Sequence, residues 1–182
     1  MNALEKTSDF QKAKIALESQ DYLEALGYLT NVIEISGNDT ERQVAYRNRG
    51  VVYGILGEYE KAIDNLTTAW DLSGNKDLAA LSNRAMAYKD MGNFEKSVAD
   101  CISVLEMGGT EMPQPYYCLA EIYVKTGPSE KAMENYLKAL QAAIKQEDET
   151  LTRVILERVK NIGLLTALSP LIENNPSVFT AQ

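Results

Sequence analysis

Residues 46–69 read YRNRGVVYGILGEYEKAIDNLTTA, and this stretch decides the fold. Small side chains stand at Gly50, Ala62 and Ala69, with bulky residues at helical spacing between them. Small residues let two helices approach closely, and the bulky ones fill the space on either side of the contact. Gly57 interrupts the helical pattern in the middle. The stretch therefore predicts two helices joined by a tight turn.

The same turn recurs along the chain. Gly57 is followed by Gly92 and Gly127, and a fainter copy begins upstream at Gln20, which gives spacings of 37, 35 and 35 residues. This pattern resembles the tetratricopeptide repeat, a helix pair with a period of about 34 residues. The resemblance covers residues 6–146, in units near 6–39, 43–76, 78–111 and 113–146.

The resemblance implies an all-α fold, a right-handed superhelical solenoid of four helix pairs. About three stacked units are needed to bury a continuous core, so four predict a single domain over residues 1–182. The first unit matches least, because Asp9, Lys12 and Ala16 stand where later units place larger or aromatic residues. It is interpreted as a terminal repeat, whose outer side faces solvent.

The chain beyond the fourth unit predicts one or two capping helices, over about 148–175. Leu151, Ile155 and Val159 recur at helical spacing, so a ninth helix should cover the open end of the fourth unit. Gly163 should end it. A short tenth helix is expected within 164–174, where Pro170 would kink or restart it.

Composition and charge narrow the function classes. The 182 residues are 45% hydrophobic and carry a net charge of -8, whereas proteins that track a phosphate backbone cluster Lys and Arg. Nucleic acid is therefore not expected as a partner. Met1 to Phe10 show neither a signal peptide nor an anchor, so the expected location is cytoplasmic, without membrane insertion. Cys101 and Cys118 are expected to be reduced.

Catalysis is not expected. The chain has no histidine, which is the commonest metal ligand and the usual base near neutral pH. The turn glycines lack the spacing of a phosphate-binding loop, and neither cysteine has a histidine partner. We therefore expect no enzyme activity, no cofactor and no metal. Arg49 and Arg84 are interpreted as stems that cover their neighbours while their heads reach water.

A concave groove lined by the first helix of each pair is the expected binding surface. Residues three before and one after each small contact residue should face it, bordered by asparagines that can hold a peptide backbone. We expect the apolar Phe10, Met86 and Tyr117 to dominate binding. The predicted groove residues are Phe10, Lys14, Arg47, Asn48, Val51, Ser82, Asn83, Met86, Tyr117 and Glu121.

The resemblance further implies a non-catalytic scaffold or adaptor that holds a segment of another protein. An alternative is a structural subunit whose grooves and ends are filled by copies of itself. A co-chaperone carboxylate clamp is not expected. Asn83 matches its central asparagine, but Arg47 and Val51 depart from the first pair of the clamp, as Gln114 and Cys118 do from the last.

Overall fold

The structure, a computed structural model, describes residues 8–163. Within that range it is all-helical, as predicted, with nine α-helices, one short 3-10 helix and no strand. The tenth helix expected within 164–174 lies outside the described residues. The α-helices are α1 (Asp9–Glu18), α2 (Tyr22–Ile35), α3 (Asp39–Ile55), α4 (Tyr59–Leu72), α5 (Leu78–Asp90), α6 (Phe94–Glu106), α7 (Pro113–Thr126), α8 (Ser129–Lys145) and α9 (Glu149–Asn161).

The chain divides into two compact units, Met1–Ser97 and Val98–Gln182. In the first, α1 packs on α2, α2 on α3, α3 on α4 and α4 on α5. In the second, α7 pairs with α8, and α9 packs on α8. Because short connections make successive helices antiparallel, α3 and α5 run in the same direction.

Polar caps fix where many of the helices begin. The side chains of Ser8, Asp21, Asn38, Asp77 and Asp148 each accept a hydrogen bond from a backbone N–H in the first turn of the helix that follows. These N–H groups have no partner within the helix, and such a cap contributes about 1 kcal/mol. The caps therefore set the helix boundaries through contacts within a few residues.

The turn inside each of the first three helix pairs contains a residue in the left-handed conformation. Gly57 and Gly92 have φ of 78° and 81°, and Gln20 takes the same place with a φ of 59°. A residue other than glycine is disfavoured in this conformation. The structure thus confirms the fainter turn at Gln20. It shows that the first helix pair makes this turn without a glycine.

The first unit is held together by two clusters of buried side chains. One joins α1, α2 and α3, with Leu29 and Val52 fully buried. The other joins α3, α4 and α5 around Leu66 and Ala69. Gly50 lies at the tightest contact of α3 with α4, since a Cβ built there would be 2.7 Å from Leu66 Cγ and 3.1 Å from a backbone oxygen of α4. This confirms that Gly50 marks a close helix contact.

The second unit has its own core, built by α7, α8 and α9. Tyr136 is its largest fully buried side chain, and α9 contributes Ile155 and Val159, at 0% and 1% exposure. Pro113 is the first residue of α7, a position where a proline removes no hydrogen bond within the helix. Gly163 follows the end of α9 with a φ of 74°. The ninth helix is therefore confirmed as an integral part of this core.

The tight contact at Gly50 predicts a specific mutational outcome. Gly50→Ala should destabilise the protein by about 1–3 kcal/mol, because the added methyl group overpacks the contact with Leu66. Gly54, one turn later in α3, is the matched control, since its Cβ would be 3.9 Å from that of Ala62. Gly54→Ala should be neutral or stabilise by up to about 1 kcal/mol. Urea unfolding midpoints measure both, and equal shifts would contradict the assignment of the contact.

Candidate functional site

The predicted groove residues of the first unit lie on α1, α3 and α5, the first helix of each pair. Lys14 is exposed, and Ser82 is buried at 2% exposure. The intermediate ones, neither buried nor fully exposed, are Phe10, Arg47, Asn48, Val51, Asn83 and Met86. Tyr117 and Glu121 lie on α7 in the second unit and are described there.

Arg47 is held in place by the start of α5. Its Nη1 donates to both carboxylate oxygens of Asp77, at 3.0 and 2.8 Å, and Gln43 Nε2 donates to one of them at 2.5 Å. Asp77 is 8% exposed and also caps α5 by accepting from the Ala80 N–H. Arg47 therefore joins α3 to α5, and its charge is balanced by a buried carboxylate.

A pocket of about 430 Å³ lies beside this ion pair. The first half of α3 supplies one wall, including Thr40 and Arg47, and the corner between α4 and α5 supplies the other, including Ser73 and Lys76. Its charged lining residues are Asp39, Arg47, Lys76 and Asp77, so it carries two charges of each sign. The pocket is polar but offers no net charge to a ligand.

Asn48 and Asn83 occupy equivalent positions on α3 and α5. Both are partly exposed, and neither side-chain amide has a hydrogen-bond partner within residues 8–163. Asn65 offers a contrast, because its amide is buried, accepts from Arg49 at 2.8 Å and donates to a backbone oxygen at 2.7 Å. The pair on α3 and α5 thus keeps donors and acceptors available for a ligand.

Ile55 was not among the groove residues predicted from the sequence. Ile55 lies one helical turn beyond Val51 on α3 and is 54% exposed, a large fraction for an apolar side chain. Its spacing was a usable signal, because residues four apart lie on the same face of a helix. The equivalent positions in the neighbouring repeats hold Glu18 and Asp90, so no apolar residue recurs at this position from repeat to repeat.

Arg49 and Arg84, interpreted from the sequence as stems whose heads reach water, are partly exposed. Each also donates to a threonine on the preceding helix pair, Thr30 at 3.2 Å and Thr67 at 3.1 Å. Arg49 also donates to Asn65. These guanidinium groups therefore fasten one helix pair to the next, which the sequence did not show because the partners lie 19 and 17 residues away.

Two predicted groove residues of the first unit take part in packing. Phe10 lies against the cluster that contains Leu29 and Val52. The hydroxyl of Ser82 is buried, and it has no hydrogen-bond partner in the part of the chain that the structure describes. A buried polar group without a partner destabilises a fold, so Ser82 is a weak point of α5.

In the second unit, Glu121 lies at the centre of a buried hydrogen-bond network. Arg158 of α9 donates to its two carboxylate oxygens, from Nε at 2.7 Å and from Nη2 at 3.1 Å. The Tyr136 hydroxyl donates to it as well. Burial, followed by the hydrogen bond to Glu121, raises the pKa of the Tyr136 phenol, and the bond to Glu121 raises the pKa of Arg158. The phenol therefore stays protonated as a donor.

Tyr117 also belongs to the packing of the second unit. Its ring lies 6.1 Å from that of Tyr136, at an interplanar angle of 60°, and it packs against the core that α9 completes. Tyr117, which the sequence predicted to dominate binding, therefore also contributes to helix packing. Together with the burial of Glu121 at 8% exposure, this contact gives both predicted residues of α7 a structural role.

Two other features bear on the kind of site. Among the described residues, no group of three or more Cys, Asp or Glu side chains is placed to hold a metal ion. None of the helices within 8–163 is long and apolar enough to cross a membrane.

Comparisons with known proteins address the fold. A family model described as a tetratricopeptide repeat matches residues 78–107 and 113–143. No curated protein sequence matches the chain. Similar solved structures include the MamA RS-1 ArsTM double mutant, with a TM-score of 0.63 and 18% identity over 77% of this chain and 76% of that one.

Two further solved structures are similar over a larger share of this chain. A tetratricopeptide repeat protein from Parabacteroides merdae ATCC 43184 has a TM-score of 0.61 and 16% identity, covering 94% of this chain and 75% of that one. BtubC (BKLC) from P. vanneervenii has a TM-score of 0.64 and 16% identity, covering 93% and 77%. At this identity the likeness concerns the helical solenoid fold.

The network at Glu121 predicts a loss of stability when α9 is altered. Arg158→Met should cost about 1–3 kcal/mol, because the buried carboxylate loses two charge-assisted hydrogen bonds. Arg153→Met on the same helix is the matched control and should stay within about 0.5 kcal/mol, since Arg153 is exposed. Thermal and urea unfolding of both variants measure the difference. Similar losses would mean that the ion pair contributes nothing of its own.

The buried hydroxyl of Ser82 predicts that its removal does not destabilise the protein. Ser82→Ala should leave the protein unchanged or stabilise it by up to about 1 kcal/mol, because it removes a buried polar atom and favours the helix. Ser97→Ala is the control, since that buried hydroxyl donates to the Ala85 backbone oxygen at 2.7 Å. The control should lose about 0.5–1.5 kcal/mol. A clear loss in Ser82→Ala, read from urea midpoints, would refute this account of its hydroxyl.

Proposed function

We propose that this chain, in which residues 78–107 and 113–143 match a tetratricopeptide-repeat family model, is a non-catalytic scaffold or adaptor that binds a segment of another protein. Repeats of this kind generally mediate protein–protein interaction. The binding surface in this proposal is the face of the first unit formed by α1, α3 and α5. Its residues are Phe10, Lys14, Arg47, Asn48, Val51, Ser82, Asn83 and Met86, now joined by Ile55.

The observation that carries the proposal is the pair of unpartnered amides at Asn48 and Asn83. Nearby polar side chains on the same helices are used within the fold, as at Arg47 and Arg49. The two asparagines are partly exposed and occupy the same place in successive helix pairs, 35 residues apart. An amide offers both donors and an acceptor, which suits the alternating N–H and C=O groups of a peptide backbone.

The second unit contributes less to this proposal. Tyr117 packs in its core and Glu121 is engaged by Arg158, so a ligand would have to displace existing contacts to use them. The net charge of -8 supports a protein partner over nucleic acid. We infer a partner that presents a peptide segment to α3 and α5.

The proposal predicts that binding depends on the two amides and that folding does not. The double variant Asn48→Ala, Asn83→Ala should retain roughly a tenth of the partner protein captured by the unaltered chain, because each lost hydrogen bond costs about 0.5–1.5 kcal/mol. The melting temperature should stay nearly the same. Quantitative affinity capture from the source cells, with thermal melts alongside, measures both.

The control is the double variant Asn31→Ala, Asn161→Ala, which changes two exposed asparagines on α2 and α9. It should capture as much partner as the unaltered chain. Equal capture by both double variants would reject the amide site. Light scattering tests the alternative of a structural subunit, which predicts an oligomer whose size does not change with concentration.

A further inference from the structure

The exposed face of α2 differs in chemistry from those of the other second helices. Counted from the turn that opens each second helix, Leu23 takes the place of an exposed glutamate in all three later pairs, Glu60, Glu95 and Glu130. Leu23 is 76% exposed, and Ile35 at the other end of α2 is 75% exposed. No other large apolar side chain within residues 8–163 is exposed to this extent. The described packing therefore leaves apolar surface on α2 at a position where its counterparts are charged.

Gly27 lies between these two residues on the same row of the helix surface. Leu23, Gly27 and Ile35 are separated by multiples of four residues, the spacing along which helical side chains form ridges. Gly27 is exposed, and a Cβ built there would meet no atom within 4 Å. A glycine inside an exposed helix is less stable than an alanine, and the described packing does not require one here. The gap at Gly27 is therefore available to a helix that crosses α2.

The charges on α2 are all negative. Its 14 residues include Glu24 and Glu34, both exposed, and neither lysine nor arginine. Within residues 8–163 neither carboxylate forms an ion pair, although Glu24 accepts a hydrogen bond from the Tyr28 hydroxyl at 2.9 Å. Lys12, which lies over the Tyr28 ring, is paired with Asp9. The apolar row therefore has an unbalanced negative charge near each of its ends.

This charge distinguishes among the possible occupants of the face. A second copy of the chain would bring further unpaired carboxylates to the same contact, and each copy carries a net charge of -8. Membrane surfaces attract helices that are rich in lysine and arginine, and α2 has none. A partner with lysine or arginine beside its apolar residues would gain charge-assisted hydrogen bonds to Glu24 and Glu34. Charge complementarity therefore favours a basic partner.

The surface of α2 favours a helical partner. Backbone N–H and C=O groups in the middle of α2 are bonded within the helix, so an extended segment would find none to pair with. A second helix needs no such groups, because its own are bonded internally and its side chains pack between those of α2. The 14 residues of α2 span about 21 Å, which accommodates roughly four turns of a partner helix.

We propose that the exposed face of α2 binds a basic amphipathic helix of a partner protein. Leu23 and Ile35 pack on the apolar residues of that helix, and Gly27 lets it approach closely between them. Glu24 and Glu34 pair with its lysine or arginine residues. The face uses none of the residues assigned to the surface of α1, α3 and α5, so this inference goes beyond the proposed function and can fail without it.

The test uses a phage-displayed library of helical peptides with randomised exposed positions, selected on the full chain. Enriched peptides should combine apolar residues at intervals of three or four with lysine or arginine. Leu23→Ser should lower their affinity by roughly tenfold or more, because an anchoring leucine is no longer buried. Ile102→Ser on α6 is the matched control, since Ile102 is also an exposed apolar residue of a second helix, and it should leave the affinity unchanged.

Gly27→Gln tests the close approach of the two helices. Glutamine favours a helix over glycine, and a Cβ at this position meets no neighbour, so the melting temperature should stay the same or rise. The affinity for the enriched peptides should nevertheless fall by roughly fivefold or more, because the added side chain fills the gap. Ala99→Gln, at the equivalent exposed position of α6, should leave the affinity unchanged. Unchanged affinity in Gly27→Gln would overturn the close approach.

A second pair of variants tests the charges. Glu24→Gln with Glu34→Gln should lower the affinity by roughly threefold or more and make it less dependent on salt. Glu60→Gln with Asp71→Asn removes the same net charge from exposed positions on α4 and should have a smaller effect. Equal effects of the two double variants would overturn the pairing of Glu24 and Glu34 with the partner.

The remaining outcomes identify other occupants of the face, and each overturns the inference. A concentration-dependent dimer that Leu23→Ser abolishes in light scattering would mean that a second copy covers α2. Binding to phosphatidylcholine vesicles that the same variant abolishes would mean a membrane surface. A fall of several degrees in its melting temperature would mean that another part of this chain covers the face. Enriched peptides that lack basic residues or tolerate Leu23→Ser, or no enrichment at all, would also overturn it. The variants of Asn48 and Asn83 test the proposed function separately.

Discussion

The close contact between the two helices of a pair is the constraint on which the rest of this structure depends. At Gly50 the contact leaves no room for even one methyl group, and the 2.7 Å approach to Leu66 shows how little slack the pair has. A tight contact keeps each pair rigid, so its outer faces can be matched by the next pair. The small residues therefore determine which side of each helix faces its neighbour. This also determines which residues of α1, α3 and α5 lie on the opposite, exposed side.

Hydrogen bonds and ion pairs between helices involve several residues that the sequence predicted to bind a ligand. In the first unit Arg47 reaches Asp77 on the next pair, and in the second unit Arg158 reaches Glu121 across from α9. Both bonds join an arginine to a mostly buried carboxylate. Because a buried carboxylate without its partner would destabilise the fold, each arginine is held in its ion pair and is not available to a ligand. The charged members of the predicted groove are thus largely structural.

The fold was predictable from the sequence because its signals are local. Helical periodicity, the turn at Gly57 and the proline at residue 113 each act within a few residues, and the structure follows them. The site was less predictable. The position of Arg47 or Val51 relative to Gly50 predicts which face of α3 the residue lies on. It does not predict that Arg47 bonds to Asp77, or that Arg158 bonds to Glu121. Those facts depend on what a neighbouring helix presents, and single-repeat patterns carry no such information.

The distinction between satisfied and unsatisfied groups then separates structural residues from candidate binding residues. Arg49 donates to both Asn65 and Thr30, so the polarity of these three side chains is explained by the fold. Asn48 and Asn83 have no side-chain hydrogen-bond partner among residues 8–163, and Ile55, two turns beyond Asn48 on α3, is 54% exposed. The polarity of the bonded groups is therefore accounted for by the fold, whereas the exposed groups on α3 and α5 are those that a ligand can contact without displacing existing hydrogen bonds.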